Sequence, residues 1–177
     1  MMKFQIITII IFNLFIAGEI KDMALNSIHD FFGREVTISE HKFSIPKKVK
    51  SEIQNTVKQS FFRDKVYYWK INKKNKSFIA IMDNVIGKSM PITFLCIFDS
   101  NGNILSSSII KYREGYGGEV GSEVWLSQFN GMKKDSLYNY PRNISGISGA
   151  TISVKSVTKG ISKLSLLASK IISSHNE

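Results

Sequence analysis

The sequence predicts an α+β fold: an antiparallel sheet of two hairpins with flanking helices, and a loop of small residues leading into a C-terminal amphipathic helix. Three observations predict it. Residues 66–71 and 78–82 are aromatic and β-branched runs separated by the polar stretch 72–76, the pattern of a hairpin. Residues 91–98 and 104–112 repeat that pattern around Asp99-Ser100-Asn101-Gly102-Asn103, where the Asn-Gly step favours the positive φ of a tight turn. Finally, Val157, Ile161, Leu164, Ala168 and Ile171 recur at steps of four, three, four and three, one apolar stripe on a helix of about five turns.

The chain opens with Met1-Met2-Lys3 and then runs from Phe4 to Gly18 with only Gln5, Thr8 and Asn13 as polar interruptions. A basic start before a short apolar run has the form of a secretory signal peptide, and it is shorter than the roughly 20 apolar residues of a typical spanning helix. Phe15 and Ile16 fit poorly at a small-residue cleavage site before Ala17-Gly18, so the segment is also compatible with a retained anchor. The expected division is therefore residues 1–20 as signal peptide or membrane anchor and 21–177 as one exported domain, held at the membrane by residues 4–18 if they are retained. In that domain, residues 24–32 suggest a short helix and 35–38 an extended segment. Pro46 is placed to take the first position of a helix, and Val49, Ile53, Val57 and Phe61 follow it at four-residue spacing. Residues 115–140 read as glycine-rich and irregular, with Trp125 and Phe129 as apolar anchors.

Composition narrows the function. Twenty-four Lys+Arg against 14 Asp+Glu give a net charge of +10, which favours anionic ligands, acidic partners or an anionic membrane surface. The lysines are dispersed and no nucleic-acid motif accompanies them, so no nucleic-acid partner is expected. Cys96, the single cysteine, lies in an apolar run and reads as a buried thiol. His29, His41 and His175 have none of the spacings of a metal site. Neither a bound metal nor a catalytic acid, base or triad is expected.

The chemistry concentrates in Ser145-Gly146-Ile147-Ser148-Gly149-Ala150-Thr151, which runs straight into the last helix. The first amides of a helix have no partner inside it, and their summed dipole favours a negative group in front of them. Small residues let a ligand approach the backbone, and Ser148, Thr151 and Ser153 add hydroxyls. The residues alone leave two readings open: a phosphate seat, or a turn that Ser148 caps.

Ser148-Gly149-Ala150-Thr151 resembles the S/T-G-A-T motif of the FMN-binding domain family, which includes subunits of sodium-pumping NADH:quinone reductase, of the Rnf electron-transport complex, and related periplasmic flavoproteins. A second stretch, Tyr112-Arg113-Glu114-Gly115-Tyr116-Gly117-Gly118-Glu119-Val120 followed by Trp125, Gln128-Phe129 and Gly131, resembles the family's acidic glycine-rich loop before a Trp…Phe-x-Gly segment. Gly87-Lys88 before Pro91-Ile92 is also similar, so the likeness spans residues 80 to 171 in order. The resemblance implies an electron-transfer flavoprotein more than a stand-alone enzyme. FMN would be attached to Thr151 through a phosphoester made by a separate magnesium-dependent flavin transferase from FAD. Ser148, Gly149 and Ala150 would hold phosphate, and Glu114, Gly117, Gly118 and Trp125 would surround the ring. Implied partners are the transferase and redox proteins, including a membrane electron-transport complex. The chain departs from the family at Ser145, where the pattern has an aspartate six residues before the threonine. That departure leaves non-covalent FMN, or a cofactor-free binding module of the same fold, as alternatives beside a small flavin reductase.

Overall fold

The computed structural model describes residues 18–132, 138 and 140–174. The apolar run from Phe4 lies outside them except for Gly18. The sheet is a meander of five antiparallel strands in sequence order: β1 (Thr37–Ser44), β2 (Lys65–Lys73), β3 (Lys76–Ile86), β4 (Pro91–Phe98) and β5 (Ile104–Lys111). Helix α1 covers residues 18–32, α2 is Lys47–Val57, α3 is the single turn Glu123–Leu126, and α4 is Thr151–Ser173.

Both expected hairpins form. The β2–β3 turn is tighter than the polar stretch suggested: Lys73 pairs with Lys76, and only Lys74 and Asn75 are looped out, both with positive φ. This conformation matches the twist of the flanking strands. At the β4–β5 turn, Asp99 Oδ1 accepts from the amides of Asn101 (2.9 Å) and Asn103 (2.8 Å), and Gly102 takes φ 82°. The fifth strand is an addition to the expected four. Of the expected extended segment 35–38, Thr37 and Ile38 open β1, which pairs with β2 from Thr37↔Asn72 to Ser44↔Lys65. Its polar centre, Ser39-Glu40-His41-Lys42, suits a sheet edge, where charge discourages further pairing, and masks the strand in the sequence.

Helices cover both faces of the sheet. Against one face, Ala24, Ile28 and Phe32 of α1 pack on Trp69, Ile71, Ala80, Leu95, Ile97 and Ile110. Against the other, α2 and α4 pack on Tyr68, Ile81, Val85, Phe94, Cys96 and Phe98. Strand β4 explains why two layers are needed, because it is apolar from Phe94 to Phe98 and every residue from Ile92 to Phe98 is buried. The predicted α4 stripe is fully buried, each large aliphatic contributing roughly 1.5–3 kcal/mol. Gly160 lets α4 approach the sheet: a Cβ there would lie 2.7 Å from Val85 Cγ1 and 2.8 Å from Phe94 Cζ.

Helix α2 differs from expectation at both ends. Pro46 sits just before the helix, its carbonyl accepting from Lys50 N (2.9 Å). Lys58 turns into the left-handed region and ends the helix, so Phe61 is buried from the following connector, its amide bonded to Gln54 Oε1 (2.8 Å). An ion pair absent from any sequence pattern joins α4 to β3. Lys163 Nζ, fully buried, lies 2.9 Å from Asp83 Oδ2, donates to Ser60 O (3.0 Å) and sits over the Phe61 ring.

Candidate functional site

Helix α4 begins at Thr151, and Ala150 precedes it as N-cap with φ −114° and ψ 19°. No side chain caps this end, so Ser148 does not perform that role. The Ala150 amide bonds back to Ile147 O (3.1 Å), and the first helical bond runs from Val154 N to Ala150 O (2.9 Å). The amides of Thr151, Ile152 and Ser153 therefore belong to an uncapped, electropositive helix start. Gly149 holds the turn before it at φ 76°, a conformation costly for a side chain, with open space where a Cβ would stand.

In front of this helix start is an open cleft of about 640 Å³, lined by Lys88, Ser89, Glu114–Tyr116 and Gly149–Ser153. That volume falls in the range of roughly 300–1,000 Å³ typical of cofactor and small-molecule sites. Thr151 and Ile152 are exposed on its wall, and Lys88 brings a cation to it. A cleft with exposed helix amides, a lysine and a hydroxyl has the donors that a phosphorylated ligand requires.

Two further segments shape the opposite wall. Glu114 Oε1 accepts from the amides of Ser89 (2.7 Å) and Met90 (2.8 Å), binding the β3–β4 turn to the loop after β5. These two backbone donors, Met90 first, hold the Glu114 carboxyl below its ordinary range. Gly87 lies beneath it: a Cβ there would come within 2.6 Å of Glu114 Oε1, so a side chain would displace the carboxylate. Tyr112 links the same loop to α4, its hydroxyl donating to Tyr116 O and lying 3.0 Å from Ser153 Oγ. Gly117 takes φ 82° where a Cβ would meet Tyr112 Oη at 3.0 Å and Ala150 Cβ at 3.1 Å. The glycine-rich loop thus rests directly on the start of α4.

Of the residues singled out from sequence, Thr151, Gly149, Ala150 and Glu114 come together on the cleft, and Gly117 packs behind Ala150. Gly118 lies beside the Tyr112 ring, and Ser148 is exposed on the turn outside the cleft wall. Trp125 is placed differently from the expected ring neighbour: it is buried, edge-on to Phe129, and its Nε1 donates to Ser145 O at 2.8 Å. Gln128 completes the clamp, accepting from Ser145 N (2.8 Å) and donating to Trp125 O (3.0 Å). Trp125 and Gln128 therefore fix the course of the Ser145–Thr151 loop from below, while the Ser145 residue itself is exposed. Glu114 lines the cleft as expected of a ligand-facing residue, and its Oε1 is engaged by the turn that carries Lys88. Lys88, Ser89 and Tyr112 were missed as site residues because only tertiary contact, between strands far apart in sequence, brings them to the loop.

Residues 87–165 match the FMN-binding domain family. A subunit of the ion-translocating oxidoreductase complex of Buchnera aphidicola subsp. Acyrthosiphon pisum (strain APS) is 28% identical over 116 residues, covering 58% of this chain and 71% of that protein.

Proposed function

From an FMN-binding domain at residues 87–165, distantly homologous to a component of the ion-translocating oxidoreductase complex, we propose that the chain is an extracytoplasmic flavoprotein carrying electrons between redox partners of a membrane complex. The observation that carries this reading is the uncapped start of α4 opening on a 640 Å³ cleft with Thr151 exposed on its wall. FMN, when bound, supplies the redox chemistry, and the protein supplies position and electrostatics.

The residues present fit that group. The Thr151, Ile152 and Ser153 amides would hold its phosphate, and Lys88 would add charge from the facing turn. Gly149 keeps the backbone approach open, and Gly117 lets the second loop close on Ala150. Glu114 acts through the Ser89 and Met90 amides, and Trp125 through the Ser145 carbonyl. Both position groups that would touch the cofactor.

Thr151 is the proposed attachment point. In that reaction a flavin transferase would direct the Thr151 hydroxyl oxygen at the FMN phosphorus of FAD. The hydroxyl proton is lost, a P–O bond to threonine forms, and AMP leaves. Ser145, standing where the family has aspartate, favours a second reading in which FMN is held without the covalent bond. A single measurement separates them: the intact mass of exported protein co-expressed with the transferase, beside Thr151→Ala. Covalent attachment adds the mass of FMN less one water, and Thr151→Ala removes it. An unmodified yellow protein would establish the non-covalent form. An unmodified colourless protein would refute the electron-carrier reading and leave a cofactor-free binding module.

A further inference from the structure

The cleft lies at one end of the sheet, together with the β3–β4 turn, the end of β5, the start of β2 and the start of α4. The first described residues of α1 are at this end too: Glu19 pairs with Lys111 (3.1 Å), and Ile20 lines a hollow with Phe62, Arg63, Pro91 and Arg113. The hairpin tips and the end of α4 are at the far end, where Ser100, Phe78 and Ile172 share another hollow. Most of the exposed large apolar side chains among the described residues are at the cleft end: Tyr116 is 91% exposed, and Phe62, Ile86, Met90 and Ile152 are 45–49% exposed, while Phe31 (45%) lies at the other end of α1 and Val124 (84%) on α3. Exposed cations alternate with them: Arg63 and Lys65 beside Phe62, Lys88 beside Met90, and Lys155 and Lys159 on the outer turns of α4.

We propose that this end of the molecule docks on an anionic phospholipid surface, with Tyr116, Met90, Ile86, Phe62 and Ile152 entering the interface and the cleft opening toward the bilayer. Mixed apolar and basic side chains are the composition of an interfacial surface, in which apolar groups enter the headgroup boundary and lysines meet anionic lipid. One further observation chooses lipid over a protein partner. The first described residues of α1 lie at this end and follow directly in sequence on the apolar run from Phe4, so a chain retained by that run is held with this end toward the membrane. The proposal rests on the extracytoplasmic reading above and on retention of the run from Phe4 to Gly18, and adds an orientation that the reading does not contain.

The test uses the full chain in vesicles, with single cysteines introduced as Met90→Cys and Tyr116→Cys at the cleft end and Ser100→Cys at the far end, each carrying an environment-sensitive fluorophore. Native Cys96 is fully buried and stays unlabelled. In phosphatidylcholine vesicles containing phosphatidylglycerol, labels at 90 and 116 are expected to be quenched several-fold more by brominated lipid than the label at 100, and to be protected from aqueous iodide. Lys155→Glu with Lys159→Glu lowers the docked-to-undocked ratio, roughly fivefold for each lysine charge lost. Pure phosphatidylcholine weakens docking in the same sense. If the chain sediments with vesicles while labels at 90 and 116 stay as open to iodide as the one at 100, the anchor stands and the docking proposal falls. Protection that appears only when membrane proteins are added overturns it in favour of a protein interface. Failure to sediment with anionic vesicles overturns both the anchor and the docking. The intact-mass result for Thr151 is independent of all these outcomes.

Discussion

Glu114 is a half-buried carboxylate whose Oε1 accepts two backbone amides. It holds Ser89 and Met90 in the turn that presents Lys88, and the two amides favour its charged form. Because the folded carboxyl is held below its ordinary value of 4.5, its contribution is complete above that pH and is lost as the pH falls through the lower folded value. The amide resonances of Ser89 and Met90 are therefore expected to titrate together on the acid side of 4.5, and Glu114→Gln to abolish that titration. Titration of the two amides unchanged in the variant would show that another group controls the turn. Cys96 is the opposite case: burial pushes its thiol up to about 12, so it remains a neutral core group at physiological pH.

Helix α4 is the element on which site and core depend together. Its N-terminus forms one wall of the cleft, and its buried side, from Val154 to Ile171, fixes where that N-terminus lies. Gly160 sits in the middle of the contact. On an isolated helix, Gly→Ala would add about 1 kcal/mol of stability. Here the new methyl would meet Val85 and Phe94 well inside van der Waals contact, and overpacking of that kind costs about 1–3 kcal/mol. Gly160→Ala is expected to lower the urea midpoint by a net loss of about 1 kcal/mol; a raised midpoint would mean that Val85 and Phe94 give way to the methyl at little cost. The loop before α4 is similarly governed from outside itself, by Trp125 and Gln128 on the short turn of α3 and its extension.

At the scale of the molecule, Asp83–Lys163 joins the sheet to α4 through the core. Such a pair is weak evidence of net stabilisation, because desolvation opposes the attraction, but removing one partner leaves the other buried and uncompensated. Lys163→Met is expected to cost about 3–5 kcal/mol in urea unfolding, and Asp83→Leu with Lys163→Met to recover much of that loss. A single variant no less stable than the double one would remove the pair from any structural role. The same whole-molecule view gives the sheet a cleft end where most exposed apolar side chains collect beside cations, and a far end whose hairpin tip is basic at Lys74 and Lys76, and the labelled-cysteine experiment tests what that difference is for.

Local pattern carried a large part of this. The two hairpins, the long final helix and the loop Ser145–Thr151 were legible because period, turn residues and a short motif are properties of neighbouring residues. Strand β1 was largely hidden because its centre is polar and only its pairing with β2 makes it a strand. The early end of α2 was hidden because Phe61 keeps the helical spacing while the backbone leaves the helix at Lys58. In the site, Thr151, Gly149, Ala150 and Glu114 could be named from motif and resemblance. Lys88, the Tyr112–Ser153 contact and the Trp125–Ser145 clamp could not, since each joins segments separated by many residues. The sequence by itself determined the two hairpins, the final helix and the loop of small residues that leads into it. Only the tertiary structure decided which side chains face the cleft before that helix and which hold the loop from behind, because those roles depend on distances between strands and helices that no local pattern encodes.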